Sequence, residues 1–360
     1  MPVKWRRAWI ADESYESAGV FDVDGDGIPD IVSGAFWYRG PDFRKKIFIG
    51  AVAREGEYWD DFSTIAMDVN GDGRLDFVTG GWWGNTIRWR ENPGDPKKEW
   101  PVHVIAEVGN VETTRAWDID GCGVPEIVPN TPNASEVAVW KLVGPGRFEK
   151  HVVHRFPAGA TQGHGLGCGD VAGNGRMDIV TNRGWLEAPR EPWKGEWRWH
   201  EGPVVGGMSG VPILVVDVND DGKNELVVGN GHGYGLDWWS RDGAGQWTRH
   251  PIDPCNAQFH DLQWADVDGD GKNELVTGKR HRAHCGNEAG EWDDLGIYYY
   301  TWNGESFTKN VVSYGPIGTG KGCGIHFALA DLRGTGRLDL VAPGKDGLAV
   351  FFNEGEERSP

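Results

Sequence analysis

Three of the eleven histidines stand at one recurring place in this 360-residue chain. His164 and His260 each lie six residues ahead of an aspartate that opens an acidic phrase, and His326 lies five ahead of another. Glu16 and Glu112 hold the same place before two further copies. Asp60, Asp61 and Arg115 fall close by, and Phe62, Val211 and Ile325 complete the series. A second group follows the second apolar run of the copies. It comprises Asn130, then Asn182, Arg183 and Trp185, then Asn230, His232 and Tyr234, then Lys279, Arg280, His281 and His284, and finally Lys345. Imidazoles and carboxylates brought together can move protons or hold a divalent ion, and guanidinium groups can pair an anion.

The elements that must position these groups repeat. The phrase D-x-D-x-D-G-x-x-D/E, or a close variant, begins at Asp22, Asp68, Asp118, Asp170, Asp217, Asp266 and Asp331. The period of roughly 50 residues marks a repeat architecture. Each copy holds four runs of four to seven residues, rich in Val, Ile, Phe and Trp and bounded by Gly, Asp, Asn and Pro, which is strand chemistry. No segment keeps a helical apolar period for three turns. Seven repeats of four antiparallel strands give an all-β, seven-bladed β-propeller, expected as one domain over residues 1–360. The last repeat has three strands, and the opening run Val3–Ile10 resembles a fourth, so it is expected to close the ring and remove an open edge. Of the 20 Trp, those at the start of third strands (Trp37, Trp82, Trp83, Trp185, Trp238, Trp239) are expected to fill gaps between blades.

In such a blade the acidic turns lie on one face and both groups of candidate residues lie on the other. In the turns, carboxylates at positions 1, 3, 5 and 9 can converge on a hard cation, with Gly at position 6 for the bend. Four copies keep oxygen ligands throughout and are expected to bind calcium. They are Asp22, Asp24, Asp26, Asp30; Asp68, Asn70, Asp72, Asp76; Asp217, Asn219, Asp221, Glu225; and Asp266, Asp268, Asp270, Glu274. Cys122, Ala172 and the Arg333/Thr335 pair interrupt the other three, and Arg333 can stand in for a metal's charge. A metal-free Asx turn explains the same residues through backbone hydrogen bonds.

The phrase Asp-x-Asp-Gly-Asp-Gly-x-x-Asp-Ile/Leu-Val resembles the FG-GAP and VCBS-type repeats over nearly the whole chain. That resemblance implies the propeller. It says little of function, because such blades serve adhesion receptors, lectins and polysaccharide lyases. The segments Tyr58–Asp61, Trp89–Gly94, Gly163–Gly167, Gly231–Gly235 and Gly278–His284 resemble the propeller domain of aldos-2-ulose dehydratase-type proteins, without their additional domains.

A net charge of −18 and the lack of a basic stripe argue against nucleic acid. No apolar run approaches membrane-spanning length. The first strand begins at residue 3, which suggests a cytoplasmic protein as written, or a secreted or periplasmic one if a leader has been trimmed. Five irregularly placed cysteines suggest no disulfide framework. A monomer or weak oligomer is expected.

A face with histidines, carboxylates, Arg, Lys and aromatics suits a carbohydrate or sugar-derived ligand, with Trp and Tyr offering flat faces to a ring. A lyase or dehydratase working by β-elimination on a uronate or keto-sugar needs a base, a cation for the enolate and an acid for the departing oxygen. His164, His260 and His326 are candidate bases or metal ligands. Arg115, Arg183 and Arg280 are candidate anion binders, and Tyr234 is a candidate acid. Asp61, Glu112, Arg183, Trp185, His232, Lys279, His281 and His284 are candidate substrate contacts. The histidines His232, His260, His281, His284 and His326 come from adjacent blades, so zinc or manganese could be held between them. Two other readings stay open. One is a non-catalytic carbohydrate- or protein-binding propeller. The other is a glycoside hydrolase, for which Glu112 with Asp60 or Asp61 would supply the paired carboxylates. The longest repeat spacing follows Asp266, and its extra ~15 residues, about Cys285 to Leu295, would form a wall or lid.

Overall fold

The carboxylates of the acidic phrase first serve their own backbone. Asp22 Oδ1 accepts the N–H of Gly25 at 2.8 Å and of Asp26 at 3.1 Å, and its Oδ2 accepts that of Gly27 at 2.8 Å. Gly25 and Gly27 take φ near +75° and +81°, which costs glycine little. At position 9, Asp30 is buried and accepts the N–H of Val23 and of Gly40. Asp76, Glu126, Asp178, Glu225 and Glu274 each accept the equivalent N–H, so one hydrogen-bond scheme recurs around the molecule.

Between these turns run the strands. The computed structural model describes residues 2–206 and 208–356; the expected 1–360 extent also takes in positions 1, 207 and 357–360, which lie outside them. The described residues contain no helix, hence none long and apolar enough to cross a membrane. Seven four-stranded antiparallel sheets stand in a ring, making a seven-bladed β-propeller. Blade 1 comprises Gly19–Phe21, Asp30–Ser33, Phe36–Arg39 and Lys45–Phe48. The innermost strands of blades 2 to 7 are Ile65–Met67, Thr113–Trp117, Leu166–Gly169, Leu214–Val216, Phe259–Ala265 and Ala328–Ala330. Val3–Ala11 lies antiparallel against Leu348–Glu356, with Ala11 opposite Leu348, and completes blade 7.

Apolar side chains from neighbouring blades interlock. Val32, Trp37 and Ile49 of blade 1 pack on Phe77 and Trp100 of blade 2, and Val276, Ile297 and Tyr299 of blade 6 pack on Leu340 and Phe351 of blade 7. A buried tryptophan such as Trp37 removes ~200 Å² from water, worth on the order of 5 kcal/mol. Trp82 and Trp83 correct the expectation made for the whole set. Neither fills a gap between blades; Trp83 is exposed and both face the pocket described below. A two-stranded hairpin between blades 1 and 2, Arg54–Glu55 with Tyr58–Trp59, has no counterpart in the sequence reading. All five cysteines are free.

Candidate functional site

Backbone pairing around the channel fixes the segments that lead into the innermost strands. Val211 N–H donates to the His260 carbonyl at 2.8 Å, Ala18 N–H to the His326 carbonyl at 2.9 Å, and Ile213 N–H to the Leu166 carbonyl at 2.7 Å. Gly165, at φ +128°, lets the chain pass beside blade 5, where a Cβ would meet Ser209 Oγ at 2.1 Å.

On that scaffold His164, His232 and His260 meet. Their ring centroids are 4.5 Å (164 to 232), 5.4 Å (232 to 260) and 6.1 Å (164 to 260) apart. His164 is 6% exposed and His260 1%. Each Nδ1 faces an acceptor: Ser209 O at 2.6 Å for His164, Glu288 Oε1 at 2.7 Å for His232, and Gln258 O at 3.4 Å for His260. A carbonyl can only accept, so in His164 and His260 Nδ1 carries the hydrogen, and in the neutral ring Nε2 keeps a lone pair. All three Nε2 atoms are buried without a hydrogen-bond partner. Glu112 completes the group: one ligand atom from each of the four residues lies within 4.8 Å of the others. Glu112 Oε1 is 3.2 Å from His164 Nε2, off the line a hydrogen bond needs.

The electrostatics follow from burial. Burial alone would raise the Glu112 carboxyl, but His164, Arg280 and His232 beside it hold it far below the usual range. Burial would lower His164, and the Glu112 carboxylate raises it instead. Burial and the neighbouring His164 push His232 down to about 4, despite Glu288. Burial, Arg280 and the adjacent imidazoles keep His260 neutral, well below its ordinary value.

Glu112, His164 and His232 line a cavity of about 520 Å³, with His260 buried behind them, and its walls include Tyr58, Phe62, Trp82, Trp83, Pro132 and Met208. Tyr58 and Phe62 pack on Trp83 at 4.9 and 6.1 Å between ring centroids. Asp60 holds that wall, accepting the N–H groups of Trp83 and Gly84 at 2.9 Å. The blade 6 insertion supplies the remaining wall with His284 and Glu288. Glu288 Oε2 lies 2.9 Å from His284 Nδ1, and the His284 ring stacks on His232 at 4.2 Å. The insertion is tied down on several sides. Tyr58 Oη donates to Ala283 O, Lys345 Nζ to Arg282 O, Lys279 Nζ to Gly290 O, and the buried Glu291 accepts from His284 N–H. It is a fixed wall.

Several expected site residues do other work. Arg280 lines the cavity, but its guanidinium is taken by Glu16, at 2.8 and 3.2 Å, and Glu112, at 3.4 Å. Arg115 is buried against Asp261 at 3.0 Å and the carbonyls of Val211 and Ile325, away from the cavity. His326 is packed in the channel wall, where its Nδ1 accepts the N–H of Thr64 at 3.1 Å. Asp61 accepts from Thr79 Oγ1 beneath the surface, so neither Asp60 nor Asp61 opposes Glu112 as a hydrolase pair requires. Tyr234 is exposed outside the cavity and donates to Asp293 at 2.7 Å. Trp185 is interior, stacked on His200 at 4.0 Å, and Arg183 is exposed away from the cavity. Lys279 is a buried anchor for the insertion, and His281 is half-buried without lining the cavity. Tyr58, Trp82, Trp83, Met208 and Glu288 escaped the sequence reading. The Tyr58–Asp61 motif and the long blade 6 spacing were the signals for Tyr58 and Glu288.

On the opposite face the ligand sets differ. Asp22, Asp24 and Asp30 converge, as do Asp266, Asp268 and Glu274. In the first of these turns Arg39 already bridges Asp24 and Asp26, at 2.7 and 2.8 Å. Arg333 pairs with Asp339 in the seventh, and in the third Lys141 pairs with Asp120 and Glu126.

Two of the seven acidic turns, those at Asp217 and Asp266, fall in a segment with a family likeness. Residues 217–277 match the FG-GAP-like repeat family. No curated protein matches this chain. Among solved structures, the chain is similar to BBS1N in two crystal structures of its complex with ARL6DN, one soaked with lead and one with mercury. The identities are 11% and 12% and the TM-scores 0.59 and 0.56, over 100% of this chain and 99% of the other. At that identity the likeness establishes the fold and no more.

Proposed function

We propose that the channel mouth is the active site of a carbon–oxygen lyase or dehydratase acting on a sugar-derived ligand. The observation that carries this reading is an aromatic-walled cavity lined also by His164, His232 and the carboxylate of Glu112. Trp82, Trp83 and Tyr58 offer flat faces to a sugar ring. His284 lines the same cavity with Glu288 Oε2 2.9 Å from its Nδ1, short of hydrogen-bond alignment, and its imidazole would take the proton α to a carbonyl or carboxylate. The enolate then needs a cation. Arg280 is taken by two carboxylates and Arg115 by Asp261 and backbone carbonyls, so neither of these guanidinium groups supplies it.

A second reading is a protein-binding propeller. BBS1N, of the same fold, was crystallised in complex with ARL6DN. Val204, Trp292 and Ile317 of this chain are large apolar side chains left more than two-thirds exposed. Incubation with a panel of uronate polysaccharides and keto-sugars separates the two. The lyase reading expects the ultraviolet absorbance of an unsaturated product, lost in His284→Gln. Saturable sugar binding without product, or none at all, overturns it.

A further inference from the structure

The three unpartnered Nε2 atoms call for an occupant. Burying an imidazole nitrogen with its lone pair unmet leaves a polar group without the hydrogen bond it would have in water. One such atom is a packing accident; three converging on one point with a carboxylate are a ligand set. A proton shared among them would satisfy one lone pair and leave two. A buried water offers two hydrogens to four acceptors. One divalent ion satisfies all four.

We infer that His164, His232 and His260, through Nε2, and Glu112, through its carboxylate, bind one borderline transition-metal ion of the zinc class. The donor set is three nitrogens and one oxygen with no thiolate, which suits zinc, manganese, cobalt or nickel over calcium. The supporting shell is already built. Ser209 O, Gln258 O and Glu288 hold the three Nδ1 positions, the pattern by which proteins fix the tautomer and aim of ligating histidines. Glu288 thereby acts on the ion through His232 as a positioning residue. The charges agree as well. Glu16 and Glu112 pair with Arg280, Glu288 pairs with His232, and Lys345 Nζ lies 4.0 Å from Glu16, so three carboxylates face two permanent cations and part of an ion's charge is compensated. The site is distinct in kind and place from the acidic turns, whose donors are hard oxygens apart from Cys122 in the third. It sits in the cavity to which the lyase reading assigns chemistry and would supply the missing cation there. Its test reads metal content alone, so either idea can fail without the other.

The test uses the full chain, stripped with chelator, dialysed against zinc, manganese, cobalt or nickel separately, and analysed by elemental mass spectrometry with calcium present in excess. One equivalent of a transition metal per chain is expected, with cobalt giving a d–d absorption band that reports nitrogen-rich coordination. His232→Ala, on a loop, and Glu112→Gln should each weaken retention at least tenfold. Glu288→Gln should weaken it and shift the cobalt band without unfolding the protein, an effect that a packing role does not produce. Asp266→Ala, on the far face, should leave the band unchanged. Folding of each variant is checked by its melting curve. Less than a tenth of an equivalent of every metal in folded wild-type protein overturns the inference. So does equal retention by folded His232→Ala and Glu112→Gln.

Discussion

The two faces of the propeller both carry clustered ligand-type side chains, yet they are finished differently. On the acidic-turn face the carboxylates spend their oxygens on neighbouring N–H groups, as Asp22, Asp68 and Asp266 do, and several turns hold a built-in Arg or Lys. These turns are complete hairpin connections whether or not an ion joins them. At the channel mouth the backbone is satisfied first, through Ser209 O and Gln258 O, and the inward nitrogens remain unmet. Hydrogen-bond satisfaction, more than residue type, separates a device that shapes the chain from one that awaits a ligand.

The largest expected effect tests that division directly. His284→Gln removes the candidate base and should lower turnover by ~10²–10⁴-fold with a nearly unchanged melting temperature. Asp270→Ala on the opposite face should leave turnover per folded molecule intact. Steady-state kinetics on both variants, with the folded fraction measured in parallel, decide it. Equal losses in the two would erase the distinction between the faces.

The next effect is on stability and comes from the mouth. Arg280 is 1% exposed and compensates two buried carboxylates. Arg280→Met leaves them uncompensated and should cost ~3–5 kcal/mol, read by denaturant unfolding. The double variant Arg280→Met with Glu16→Gln should recover part of that loss, because one stranded charge is gone. No recovery would mean that Arg280 acts by packing on Phe62, 5.5 Å away, and not by charge.

The sequence made the propeller legible because its signals are local and sevenfold. A turn phrase, a glycine at a fixed place and short β-branched runs each specify structure within ten residues, and repetition multiplies a weak signal. The site was legible only in part. Counting back from the motif placed His164, His260 and Glu112 on one rim, and the second-to-third loops added His232 and His284. The same counting also chose His326 and Arg115, which turn into the channel wall. Sequence spacing fixes which face a loop occupies but not the rotation of its side chains, and Asp261, which captures Arg115, lies 146 residues away. Trp82 and Trp83 were misassigned because they stand where other blades place interior tryptophans; Asp60, from another loop, turns their segment outward.

A smaller effect probes the built-in cations of the acidic face. Lys141 Nζ lies 2.6 Å from Asp120 and 2.7 Å from Glu126, whose side chain is fully buried. Lys141→Met should cost ~2 kcal/mol, below a fully buried pair because Asp120 and Lys141 are part-exposed. Burial alone would raise the Asp120 carboxyl, but hydrogen bonds from Lys141 and Trp193 hold it at about 2. Its folded value is depressed below the unfolded one near 3.9, so its contribution is full above pH ~4 and is lost as pH falls toward 2. Wild type should therefore lose stability on that acid limb more steeply than Lys141→Met. Parallel limbs would show that the lysine does not hold the turn.

The smallest expected effect concerns calcium, and it sharpens the comparison within the acidic face. Turn 1 has its ligands gathered but bridged by Arg39, whereas in turn 6 Asp266, Asp268 and Glu274 converge with no Arg or Lys paired to them among the described residues. Glu274 Oε1 is buried there without a hydrogen-bond partner, a feature that turn 6 shares with the mouth. Calcium should therefore enter turn 6 before turn 1. At ten times its Kd a single ion adds ~1.4 kcal/mol, which for a chain of this size raises the melting temperature by only about 2–3 °C. Asp266→Ala should abolish that rise. Arg39→Ala should enlarge it, because turn 1 then competes for an ion with its arginine gone. Calorimetric titration of the three proteins checks the order of filling. A calcium response that survives Asp266→Ala and disappears in Asp22→Ala would reverse the assignment. It would also show that an unmet oxygen is a poorer guide to ion binding on this face than it is taken to be at the mouth.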